Sequence, residues 1–70
     1  MDKISQQFLA TIEDYIGGAG MDPTSFGRTV MNDPSFVFDL RNGRSPSART
    51  MSRVLGWIAE NPVGAERAAS

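Results

Sequence analysis

The sequence predicts an all-α domain built from four short helices. Three observations carry this expectation. Apolar residues recur three and four apart in successive segments, which is the period of an amphipathic helix. Paired breakers (Gly17-Gly18, Asp33-Pro34, Asn42-Gly43, Asn61-Pro62) divide the chain between those segments. No stretch of useful length alternates with period two, so no sheet is expected.

The first helix is expected over about residues 3–16. Ile4, Phe8, Ile12, Tyr15 and Ile16 form its apolar face, with Leu9 on the flank. Gln6, Gln7, Glu13 and Asp14 fall mostly opposite. Gly17 and Gly18 are expected to end it, because glycine accepts the left-handed geometry of a helix C-terminus. The glycine-rich stretch through Gly20 reads as a turn. It is not a phosphate loop, since no Gly-Lys-Ser/Thr follows.

The second helix begins at Asp22-Pro23. Asp22 suits the N-cap and Pro23 the first helical position. Phe26 and Val30, four apart, give it one apolar face. Gly27 lies inside it, where glycine costs about 1 kcal/mol against alanine. A close neighbour at that point would explain its presence.

The third helix is expected to repeat this start, with Asp33 as N-cap and Pro34 after it. Val37 and Leu40 form its inward pair, with Phe36 near the edge, and Gly43 closes it. The fourth opens in Ser45-Pro46-Ser47, where Ser45 or Ser47 caps. Met51, Val54, Leu55 and Ile58 then fit the i, i+3, i+4, i+7 template. It ends near Asn61-Pro62, because proline disfavours helix in the residue before it. Residues 1–61 are thus expected to form the domain and 62–70 a short flexible tail.

With 70 residues, the chain holds one domain at most, and its core is marginal at that size. It has no cysteine and no histidine. Disulfides, thiolate sites, the usual general base and the usual nitrogen metal ligand are therefore absent. Glu13 and Asp14 sit side by side on an exposed helix face, with nothing to perturb their titration. The expectation is a protein without enzymatic activity, cofactor, metal or small-molecule ligand. The polar start MDKISQQ and the short apolar runs suggest neither an export signal nor a membrane span. A cytoplasmic location is the default.

Charge is unevenly distributed. Between Arg28 and Arg53 lie five arginines against two aspartates, a local +3. The rest of the chain holds two cations against six carboxylates, or −4, so the whole is −1. Such asymmetry marks either a nucleic-acid surface or a solvated arginine-rich face.

The second and third helices with their tight connection form a candidate helix-turn-helix over about 22–43. A helix fits the major groove of DNA, and its outward side chains meet base edges. The run Pro23-Thr24-Ser25-Phe26-Gly27-Arg28-Thr29-Val30, then Asp33-Pro34-Ser35-Phe36-Val37-Phe38-Asp39-Leu40-Arg41-Asn42-Gly43, then Arg44-Ser45-Pro46-Ser47, resembles the lambda-repressor-like, or Xre-type, DNA-binding domain. Phe26-Gly27 stands where that family has Leu-Ala. Val37 and Leu40 match its paired aliphatics, Gly43 its closing glycine, and Met51 to Ile58 its next apolar helix. Met31-Asn32 replaces the family's turn glycine, and asparagine tolerates left-handed geometry. Pro23 and Pro34 replace its glutamines. The usual fifth helix is truncated or missing, which leaves a compact domain of four helices, or five at most.

The resemblance implies a sequence-specific transcriptional regulator of bacterial or phage type, bound to double-stranded DNA and to the nucleoid. The helix at about 33–42 would enter the major groove. Ser35, Phe38 and Asp39 then read bases, while Arg28, Arg41, Asn42, Arg44 and Arg49 contact the DNA backbone. Arg28 and Arg53 are the weaker candidates. Each has an alternative: Ser35 as a first-turn residue, Phe38 as a core or dimer residue, Asp39 as the partner of an arginine. Family members usually dimerise on two half-sites. A homodimer would use the fourth helix or the tail, with Trp57 either a dimer contact or a core-edge residue. The alternative function is a protein-interaction module, an antitoxin or adaptor subunit, on the same scaffold.

Overall fold

A computed structural model describes residues 3–63. Among the described residues four helices follow one another: α1 (Lys3–Ala19), α2 (Pro23–Met31), α3 (Phe36–Arg41) and α4 (Ala48–Glu60). No strand occurs among the described residues. The architecture is all-α and compact. Phe8, Ile12 and Ile16 of α1, Phe26 and Val30 of α2, Phe36, Val37 and Leu40 of α3, and Val54 of α4 form one buried core.

The first helix outruns its expected end. Gly17 and Gly18 are helical, and the left-handed residue is Gly20, at φ 67°. There the Met21 N–H donates to the Ile16 carbonyl at 3.0 Å. That bond closes the helix C-terminus one turn later than the double glycine suggested. Val63 lies over Gly18, where an added Cβ would touch its side chain at 3.4 Å.

The start of α2 is as the sequence indicates. Asp22 caps it through both oxygens: Oδ2 accepts the Ser25 N–H at 3.2 Å and Oδ1 the Ser25 hydroxyl at 2.7 Å. Pro23 fills the first turn. At the other end Asn32 adopts φ 54°, ψ 36°, the left-handed conformation that the missing turn glycine required. Gly27 has its neighbour. A Cβ there would collide with the Asp33 carbonyl oxygen and lie 3.1 Å from Phe36 Cβ. The turn therefore packs directly onto the α2 backbone.

The third helix is shorter than the expected 33–42. Asp33 is not its N-cap; Ser35 stands at that place, without a side-chain bond of its own. The groups of Asp33 are already committed. Its N–H donates to the Gly27 carbonyl, its carbonyl accepts from Phe36 N–H, and its Oδ1 accepts from Ser35 N–H. This side-chain turn carries the chain across Pro34 before helix begins. Phe36 is buried rather than at the edge. Asn42 and Gly43 end α3, Gly43 at φ 99°.

Ser47 rather than Ser45 caps α4, accepting from Thr50 N–H at 3.2 Å. The inward arc of this helix centres on Val54, with Met51, Trp57 and Ile58 packed beside it. Leu55, expected inside, is 44% exposed. On a helix it lies about 100° from Val54, whereas Trp57 lies about 60° away on the other side. The Trp57 ring fills that side, 5.7 Å from the Tyr15 ring and 5.8 Å from Phe26, edge to face with both. The Tyr15 hydroxyl donates to the Asn61 carbonyl at 2.6 Å, which ties the end of α4 to α1. Of the tail expected at 62–70, residues 64–70 lie outside the described residues. No described helix is long and apolar enough to cross a membrane.

Candidate nucleic-acid interface

The α2–turn–α3 unit decides what α3 can show. Packing of the turn onto Gly27 fixes the direction in which α3 leaves, and Phe36, Val37 and Leu40 then turn into the core, each at most 3% exposed. The remaining arc must face outward. It carries Phe38, which is 42% exposed, with Asp39 half-buried beside it and Arg41 exposed. Ser35 is exposed at the start, its N–H held by Asp33. Asn42 is exposed at the other end, its N–H donated to the Phe38 carbonyl at 3.0 Å. The expected base-reading residues thus share one short solvent-facing segment.

The electrostatics differ from the expectation. Arg41 does not project freely. Its Nε donates to Glu13 Oε2 and its Nη2 to Glu13 Oε1, both at 2.7 Å. The same guanidinium lies over the Phe38 ring, 5.5 Å from the centroid. Its hydrogen bonds hold the Glu13 carboxyl below the usual carboxylate range and push Arg41 up. Asp39 is likewise engaged: its Oδ2 accepts from Arg44 Nη1 at 3.1 Å, and its carbonyl accepts the Arg44 N–H at 3.0 Å. The Asp39 carboxylate thus pairs with Arg44 and orients it, the alternative named for that residue.

Arg28 on α2 and Arg49 and Arg53 on α4 are exposed and form no ion pair with a described residue. Arg49 and Arg53 are one turn apart on one side of α4. A cleft of about 290 Å³ joins the turn to the start of α4. Asp33, Phe36, Arg44, Ser47 and Thr50 are among the residues that line it. Arg44 thus borders this cleft, whereas Arg49, though on the first turn of α4, does not line it. Arg28 belongs to a separate element.

The sequence places Glu13 on an exposed helix face with nothing to perturb its titration, and the structure corrects this: Arg41 holds both carboxylate oxygens, a pairing that sequence reasoning missed. Glu13 stands 28 positions from Arg41, and no motif links the two. Only the docking of α3 on α1 brings them together. No family model, no curated protein and no solved structure matches the chain.

Proposed function

We propose that this chain is a sequence-specific DNA-binding transcriptional regulator of bacterial or phage type, with α3 entering the major groove. The observation that supports this best is the α2–turn–α3 unit itself. Its short second helix has a buried inner side and an outer side carrying Phe38, with exposed Ser35 and Asn42 flanking it at the two caps. In this reading Phe38 meets a thymine methyl and Ser35 a base edge. Arg44, oriented by Asp39, contacts phosphate with Arg28, Arg41, Arg49 and Asn42. The resemblance of about residues 4–60 to Xre-type domains supports the same reading. A homodimer on two half-sites would use Leu55 on α4, since the Trp57 ring is engaged with Tyr15 and Phe26.

Selection of bound duplexes from a random pool at moderate salt tests this. A recurrent sequence is expected, with affinity that falls steeply as salt rises. Absence of duplex binding at low salt would reject the reading. The neutralisation of Arg41 and Arg44 by carboxylates, beside an exposed Phe38, favours a second reading as a protein-interaction module. A defined protein complex together with no DNA binding would establish it.

A further inference from the structure

Glu13 lies on α1, outside every residue assigned to the interface. Its carboxylate nevertheless takes two N–H groups of Arg41, one on each oxygen. A guanidinium grips a phosphate through the same fork, with two parallel N–H···O bonds to two oxygens of one anion. The two side chains are 39% and 37% exposed, so a competing anion can reach them. An ion pair at that exposure is weak and exchangeable.

We propose that Glu13 competes with nucleic-acid phosphate for Arg41. In the free chain the carboxylate occupies the guanidinium and holds it over Phe38. On a bound duplex a phosphate oxygen pair takes the place of the carboxylate, which swings into solvent. The inference rests on the DNA-binding reading and adds a positioning residue to it. Glu13 touches no DNA; it sets the cost of recruiting Arg41. Non-specific duplex is bound mainly by charge, so it gains little from an arginine that is already neutralised. A site that also holds α3 in the groove can offset the exchange. Glu13 thereby favours specific over non-specific binding.

The test is a titration of a non-specific duplex across a salt series. It uses the full chain, Glu13→Gln, Glu13→Asp, the control Asp14→Asn, and each α1 change again in an Arg41→Ala background. Glu13→Gln is expected to tighten binding about two- to fivefold, the range of one exposed ion pair. The slope of log affinity against log salt should steepen by about 0.9, one phosphate contact. Glu13→Asp keeps the charge but shortens the reach, and should move the slope in the same direction. Asp14→Asn should leave the slope unchanged, and the Glu13 effect should vanish without Arg41. A Glu13→Gln gain that equals that of Asp14→Asn, or that persists in Arg41→Ala, would overturn the proposal. If the parent chain binds duplex and no Glu13 variant differs from it, this inference fails alone. If neither parent nor variants bind any duplex at low salt, the DNA reading fails with it. Helical circular dichroism of each variant identifies any loss of fold, and Glu13→Asp then carries the test in place of Glu13→Gln.

Discussion

The Asp33 carbonyl oxygen occupies the place that a Cβ on Gly27 would need. One backbone is therefore packed against another at the junction of α2 and α3, and the orientation of α3 depends on it. Gly27→Ala should destabilise the fold by about 1–3 kcal/mol, because a rigid carbonyl must move. Gly56→Ala should have the opposite sign. It is also mid-helix, but nothing lies within 4 Å of its missing Cβ, and the gain should be about 0.5–1 kcal/mol. Thermal melts should separate the two variants in opposite directions from the parent. Equal shifts would contradict the close approach.

Asn32 carries the left-handed residue of the turn, at φ 54°. Asn32→Val should cost about 1–2 kcal/mol, since a β-branched side chain resists that region. Asn32→Gly should be close to neutral. Chemical denaturation of the three proteins measures the difference, and a stable valine variant would show that the turn adopts another geometry.

Trp57 is the only tryptophan, so its emission reports on the cluster it forms with Tyr15 and Phe26. Tyr15→Phe keeps the rings and removes the hydroxyl bond to the Asn61 carbonyl. A loss of about 0.5–1.5 kcal/mol is expected, with little change in the folded emission spectrum. Trp57→Ala should cost about 2 kcal/mol or more, from lost packing.

Acid should weaken the fold through Glu13 and Asp22. Hydrogen bonds from Arg41 lower the Glu13 carboxyl, and those from the Ser25 hydroxyl and N–H lower Asp22. A carboxyl depressed in the folded state contributes stability that is complete above its unfolded pKa and lost as pH falls through the folded one. The loss should thus begin near pH 4 and continue below it. Melting temperatures of the parent and of Asp22→Asn with Glu13→Gln, from about pH 6 to about pH 3, should converge at the acid end. Parallel curves would show that these two groups do not drive the dependence.

On the proposed DNA-binding reading, the arginines should contribute unequally. Arg49 breaks no ion pair with a described residue on meeting a phosphate, whereas Arg44 and Arg41 leave Asp39 and Glu13. Arg49→Ala should therefore weaken a non-specific duplex most and lower its salt slope by about 0.9, with Arg44→Ala and Arg41→Ala following. Salt titrations of the three variants give the order, and an unaffected slope in Arg49→Ala would remove that residue from the interface.

Much of this arrangement is legible in local chemistry. Asp22-Pro23, Asn42-Gly43 and Asn61-Pro62 mark helix limits because caps and breakers act on their own few residues. The buried pair Val37 and Leu40 follows from helical period alone. Misreadings arise where a distant group intervenes. Asp33-Pro34 has the same local signature as Asp22-Pro23, but Asp33 is held by Gly27 and so begins a turn. Gly17-Gly18 stays helical because the closing bond forms at Gly20 and Met21. Leu55 and Trp57 flank the same stripe, and the aromatic partners on α1 and α2 decide which of them turns inward.

The order of amino acids by itself determined the helical class, the four segments and the outward set on α3, because periodicity and capping are properties of neighbouring residues. The packed chain alone decided that Glu13 meets Arg41, that Asp39 holds Arg44 and that Trp57 lies between Tyr15 and Phe26. Such pairings join residues far apart along the chain, and their free energy exists only once the helices have docked.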